Sequence, residues 1–473
     1  PTNLQSDTAG ELRYQPQGDP EGLGVLGPNE GGFGRRVWAG TDRRVLEALL
    51  PRLPANNPSP VLFELARRLL LTDAVMPSPS MASKGLGSSD LMKVRLERLA
   101  ALGETEGLAR LLAVLPDGAQ PELRRRLEVE LLLTRGRESD ACQSVRAGAP
   151  EDGEDRFWLK ALTYCQILSG ERAAAELGLT ILRESARSDD QLFLRLAEAA
   201  LGLHPLNPSE ISRLDPERIR PIEFALLASI GLPLPPKLVL EGAPRARLQL
   251  IHDETANLDD RTQAAEWAVA THRLPAAELA LLYGAYAFSS GQIEGALNEG
   301  YGMQGVEARA LYFQSIGQLD QPDQEIRAAE LALERAEADG VYSATAQVVL
   351  PALTVGPTDV AYAWFADTAG RALYVMGRYE EATAWLLLAR QEAAISARAA
   401  VAAHRLWPYS RLAGIAAISN ESGLEGWRFA QPDPDGPKVA QQLSLLRVLF
   451  DALGETDAMA WIDLAMTDDE RAQ

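Results

Sequence analysis

The sequence predicts an all-α fold built from antiparallel helical hairpins. Three observations lead there. Apolar residues recur at spacings of three and four from Thr41 almost to the C-terminus. Runs that alternate apolar with polar residues, as half-buried strands do, are nearly absent. Glycines recur directly after apolar helical runs, where a chain that turns back at once needs a residue able to take positive φ. The 473 residues exceed one compact domain, and 46% of them are hydrophobic, enough for a sizeable core. Only 6% are aromatic, so that core must be aliphatic, as in helix-on-helix packing.

Taken in order, residues 1–38 include "QPQGDPEGLGVLGPNEGGFG", show no period, and read as a flexible N-terminal arm. "GPNEGGFGRR" is glycine-rich, but no GK[ST] follows it and no apolar strand precedes it, so it is not a phosphate loop. Residues 39–202 form a first helical-repeat segment. In it "TDRRVLEALLPRL" and "SPVLFELARRLLLTDA" each open on a residue suited to cap a helix. The loop "MPSPSMASKGLGSSD" (76–90) leads to a further helix capped by Ser89 or Asp90. Residues 203–245 are Pro-rich and read as an irregular connector whose short helices begin at the prolines. Residues 246–430 form a second repeat segment. "QPDPDGPK" then sets off a terminal helical hairpin and tail over 431–473.

The glycines carry the repeat. Gly103, Gly136, Gly170, Gly291, Gly377 and Gly454 each follow an apolar helix. Five residues later stand Leu108, Ala141, Ala175, Ala296, Ala382 and Met459, each opening the apolar stripe of a second helix. The first three glycines lie 33 and 34 residues apart, the length of two short helices and two turns. Around "YVMGRYEEATAWLLLA", the residues Gly370, Leu373, Gly377, Tyr379, Ala382, Leu386 and Ala389 occupy the signature positions of the tetratricopeptide repeat, which the chain resembles. Gly284, Gly291, Ile293 and Ala296 reproduce the spacing. The match is best over 364–390 and weaker over 91–180 and 278–300, and the longer intervals elsewhere are not multiples of 34. The resemblance implies a superhelical array, an α-solenoid, whose first helices line a concave protein-binding face. That face would present Lys160 and Tyr164 in one repeat and Trp364, Arg371 and Tyr374 in another.

Few residues point to chemistry. The two cysteines, Cys142 and Cys165, fall on neighbouring helices, with the connecting turn midway between them. They either bridge or stay two buried thiols, and a bridge would imply an oxidising compartment. No Cys/His cluster suits zinc, no histidine pair sits at helical spacing, and no GxSxG elbow appears. The carboxylates of "HDETANLDDR" (252–261) read as helix-boundary caps. Glu421-Ser422 and Gly302-Met303-Gln304 match motifs of lytic transglycosylases, but in reversed order and more than 100 residues apart.

No cofactor or metal is therefore expected. A net charge of −20 argues against nucleic acid and against an anionic membrane surface. It favours a partner with a basic or mixed surface. No run of about 18 apolar residues offers a membrane span. Arginine far outnumbers lysine, a bias associated with GC-rich bacterial genomes. No signal peptide is visible at Pro1, although a start without Met suggests that a segment precedes it. The expected role is a non-catalytic scaffold or adaptor in a bacterial multiprotein assembly, with the periplasm favoured over the cytoplasm. The alternatives are a peptidoglycan-acting enzyme or its helical arm, and a solenoid that binds a small ligand.

Overall fold

The computed structural model describes residues 20–78, 90–148, 156–184, 187–231, 238, 241–299, 302–353, 360–415 and 423–454. Among these residues the chain is helical throughout, and the only strand-like pairing is one isolated bridge between Leu26 and Thr72. Two compact units divide at Leu274/Pro275.

The first unit holds α1 (Arg43–Leu49), α2 (Pro60–Leu71), α3 (Leu91–Leu102), α4 (Thr105–Val114), α5 (Pro121–Thr134), α6 (Glu138–Gly148) and α7 (Arg156–Leu168). It continues with α8 (Arg172–Glu184), α9 (Gln191–Ala200), α10 (Pro208–Ile211), α11 (Pro221–Ser229), α12 (Pro244–His252) and α13 (Leu258–Ala270). Proline opens α2, α5, α10, α11 and α12, at the position where its missing N–H costs nothing. Asp42, Ser59, Asp90 and Asn257 cap the helices they precede, each accepting a backbone N–H. From α2 to α9 each helix packs on the next, apart from α1.

Two expectations about domain layout are corrected. Residues 20–38 are not a flexible arm. Arg95, 1% exposed, donates to the carbonyls of Glu21 (2.7 Å), Leu70 (2.9 Å) and Thr72 (3.1 Å) and so ties this stretch to the end of α2. Arg43 grips the Glu21 carboxylate through both oxygens at 2.6 and 2.7 Å. A Cβ at Gly24 would lie 2.2 Å from the Asp73 nitrogen, so the two chains approach closely only because that residue is glycine. Residues 1–19 lie outside the described residues.

The second correction concerns 203–245, expected as a connector. Its helix α11 is apolar apart from Glu223, with Pro221 to Leu227 all buried, and it packs on α5, α7, α9 and α12. A helix with no polar stripe must be enclosed, so this stretch is part of the first unit's interior.

The second unit holds α14 (Ala276–Gly284), α15 (Ser290–Glu294), α16 (Ala296–Glu299), α17 (Gly305–Ser315), α18 (Pro322–Ala338) and α19 (Tyr342–Ala352). It ends with α20 (Ala366–Val375), α21 (Tyr379–Glu392), α22 (Ala397–Leu412), α23 (Gly423–Phe429) and α24 (Pro437–Ala452). Consecutive helices from α17 to α24 pack on each other, and α20 also reaches α22. Gly370 makes that last approach possible, since a Cβ there would come within 2.5 Å of Leu406. Leu373, Ala382, Leu386 and Ala389 are all buried in the same core, with Phe365, Trp385, Trp407 and Phe450.

The corners share one bonding pattern. At Gly103, Gly136, Gly170, Gly202, Gly340, Gly377 and Gly414, φ is positive. In each, the glycine N–H returns to the carbonyl three residues back, and the next N–H to the carbonyl five back. This is the Schellman closure. Two runs are nearly regular: the first four corners lie 33, 34 and 32 residues apart, and the last three 37 apart. His272 adopts the same geometry at φ 62°, with Arg273 N–H to Ala268 O at 2.7 Å, although its side chain disfavours it. Gly291 is the exception to the expected set. It lies inside α15, which Ser289 caps reciprocally with Gln292, and it has no positive φ.

The cysteines are joined. Cys142 on α6 and Cys165 on α7 form a disulfide with their Cα atoms 5.5 Å apart. Closing a loop of 23 residues restricts the unfolded chain by about 3 kcal/mol.

The corners generate an ordered prediction. Gly170→Ala, where a Cβ meets open space, should cost about 1 kcal/mol from backbone strain alone. Gly136→Ala should cost more, because its Cβ would also sit 2.9 Å from His252 Cβ. His272→Gly should stabilise by up to ~1 kcal/mol by removing a side chain from a left-handed backbone. Urea unfolding of the full chain measures all three, and equal losses for the two alanine variants would contradict the packing described.

Candidate functional site

Of the five residues expected on an open binding face, Lys160 is the one that borders a recess. The recess holds about 160 Å³ and is walled by α5, α7, the start of α9 and α11. Most of its walls are charged, although the chain as a whole is strongly acidic. The cations are Arg126, Arg156, Lys160, Arg187 and Arg220, and the anions Glu130, Asp189, Asp190 and Glu223.

Asp190 organises the floor. Lys160 Nζ lies 2.9 Å from one carboxylate oxygen and Arg156 Nη2 2.5 Å from the other, which also accepts the Arg187 backbone N–H at 3.0 Å. Burial opposes the charge on Asp190, but these donors outweigh it and bring the carboxyl down to about 2. Glu130 is buried too, and Arg126 (3.2 Å) and Arg245 (2.5 Å) hold it below the usual carboxylate range against that burial. Glu223 differs. Burial pushes its pKa up, the Lys160 ammonium at 3.8 Å offsets this only in part, and its Oε2 meets no hydrogen-bond donor. Two buried carboxyl groups with opposite shifts thus share one recess. At the mouth Arg187 and Arg220 are exposed; among the described residues neither is within 4 Å of a carboxylate, although the Arg220 charge acts on Glu130 and Glu223 from farther off.

The other four expected face residues are built into packing. Tyr164 lies one turn beyond Lys160 on α7 and is 2% exposed, and burial together with the nearby Glu138 carboxylate raises its pKa. Trp364, Arg371 and Tyr374 belong to the second unit, so the two sets do not share a unit. Trp364 lies under the Arg398 guanidinium at 5.3 Å. Arg371 pairs with Glu337 (3.2 Å) and Asp367 (3.6 Å) and covers the Tyr342 ring. Tyr374 is buried and stacks on Tyr409 with centroids 5.9 Å apart. Aromatic residues at helical spacing served the core here, because α20 is flanked by both α21 and α22.

The acidic stretch 252–261 behaves as a set of caps: Asp253 accepts from Thr255 N–H and hydroxyl, and Asn257 from Asp259 N–H. Among the described residues no group of His, Cys, Asp and Glu is arranged to hold a metal ion. No helix among them is long and apolar enough to cross a membrane. Glu421 and Ser422 lie outside the described residues. Sequence reasoning missed Asp190, Glu130 and Glu223: Glu130 and Glu223 interrupt otherwise apolar helix faces, and Asp190 reads only as a residue before a helix start.

No family model matches the chain, and neither a curated protein nor a solved structure matches it.

The paired floor makes acid sensitivity predictable. The folded pKa of Asp190 lies below its ordinary 3.8, so its stabilisation is complete above about pH 4 and lost as pH falls toward 2. Asp190→Asn should cost about 3 kcal/mol at pH 7, since it leaves Lys160 and Arg156 without their shared anion. Urea midpoints of the two proteins should converge between pH 4 and pH 2; a gap constant across that range would contradict the assignment.

Proposed function

We propose that the chain is a non-catalytic scaffold: an α-solenoid of antiparallel hairpins, similar to tetratricopeptide repeats, that binds protein partners in a bacterial cell-envelope assembly. The near-regular Schellman corners support the array, since one hairpin cannot bury its apolar face alone and stacked ones can. The Cys142–Cys165 disulfide fits an oxidising compartment such as the periplasm. The observation that carries the docking site is the recess around Lys160, with the exposed guanidinium groups of Arg187 and Arg220 at its mouth. An acidic side chain of a partner with a mixed surface would enter between them, while the acidic remainder of the chain meets the partner's basic groups.

The test is capture of partners from the source organism with tagged full-length protein and with the Arg187→Glu/Arg220→Glu variant. A protein retained stoichiometrically by the parent and lost with the variant supports the reading. Equal retention by both would remove the recess as the docking site.

One observation favours a second reading, an enzyme acting on cell-envelope polymer. Carboxyl groups whose environments push their pKa values apart, as at Glu130 and Glu223, are how acid and base roles divide. Purified protein that cleaves peptidoglycan and loses that activity in Glu223→Gln, with Asp190 untouched, would favour it; a parent protein without cleavage ends it.

A further inference from the structure

A second recess of the first unit, about 500 Å³, lies between the residues just after α1, the turn before α11, and α12 and α13. That is within the size range of small-molecule sites. Its inner wall carries Arg247, on α12, which is 5% exposed. The guanidinium sits 3.7 Å over the ring of Trp267. Its Nε is shut off from solvent without a hydrogen-bond acceptor, and among the described residues the guanidinium forms no ion pair with a carboxylate. Burial, and then the charge of Arg273, push its pKa down to about 9, so it remains a cation at neutral pH. A buried cation without a counter-ion is costly, and proteins seldom keep one without use.

The outer part of the same recess is acidic, with Asp215, Glu217 and Glu241 along it. The Asp215 carboxylate accepts the Glu217 backbone N–H at 3.1 Å, and both residues are exposed, with no ion pair among the described residues. Arg247 on the inner wall and Asp215 and Glu217 on the outer part therefore face one cavity with opposite charges. The alternative arrangement, a plain salt bridge, is not the one the fold adopts.

We propose that this recess binds a small zwitterion of amino-acid type. The ligand's carboxylate takes the two Nη groups of Arg247, the planar fork that suits bidentate carboxylate binding. Its ammonium turns outward to Asp215 and Glu217, and its apolar part rests beside Trp267. A simple anion would be repelled by the acidic rim, and a simple cation by Arg247. Only a molecule carrying both charges completes both ends. This site shares no residue with the recess around Lys160, so it stands whether or not the scaffold reading does.

The test is calorimetric titration of the full-length protein with ω-amino acids from glycine to 6-aminohexanoate, and with leucine and glutamine. Acetate and methylammonium serve as single-charge controls. At least one zwitterion should bind with Kd below about 1 mM, and the controls at least tenfold more weakly. Arg247→Gln should weaken that zwitterion at least tenfold, and so should Asp215→Asn/Glu217→Gln, whose exposed positions leave folding intact. Without ligand, Arg247→Met should keep or raise the melting temperature, because it removes a charge that no protein group pairs. Acetate binding as tightly as the best zwitterion overturns the proposal, as does an absence of binding at 10-fold above that concentration. A lower melting temperature in Arg247→Met without any ligand response would make the arginine a prop for Trp267 and nothing more.

Discussion

The left-handed residue that closes the tight corners is the constraint on which the rest of this structure depends. A helix leaves its last carbonyls unpaired, and the next helix must start within two or three residues to pack against it. The Schellman closure meets both demands at once: two N–H groups return to the waiting carbonyls and the chain reverses. Where the corner is right, the apolar stripes of consecutive helices face each other. Cores such as the one around Tyr312, Phe365, Trp385 and Leu406 then follow from ordinary burial.

Buried arginines do the work that corners cannot. Arg95 fastens residues beyond the helical pattern to the end of α2, and Arg43 adds a bidentate grip on Glu21. Around the Lys160 recess, Arg156 holds the Asp190 carboxylate, and Arg126 and Arg245 both hold that of Glu130. Each guanidinium satisfies several acceptors from one rigid plane, which an ammonium on a flexible stem does less well. Arg247 departs from this pattern, since its buried Nε meets no acceptor and its guanidinium lies over the Trp267 ring. The contrast between arginines that close the structure and one that is left open separates architecture from a binding feature.

Much of the fold was legible because its corners are written in residue type. Gly103, Gly136, Gly170 and Gly377 stand after apolar runs and turn the chain as their spacing implied. Gly202, Gly340 and Gly414 do the same but were hidden among prolines or alanine-rich stretches, which left intervals that looked irregular. His272 could not be read at all, because a corner is defined by its hydrogen bonds and not by its side chain. Gly291 misled for the complementary reason: a nearby serine cap made its glycine part of a helix start. The recess around Lys160 was barely legible. Asp190 comes from one helix start and Glu130 and Glu223 from two other helices, and only tertiary packing brings them into one recess, where Asp190 and Glu223 share Lys160. Tyr374 and Tyr164 illustrate the same limit, since spacing along a helix does not tell which side a third helix will cover.

Each corner gives a single residue to the reversal and returns the chain at once to helical pitch. One amino acid gained or lost within a helix would rotate everything after it by about 100° and swing its greasy side toward water. Descendants of this gene can therefore change length most safely between helices, where an extra or missing residue leaves the rods' facing stripes untouched.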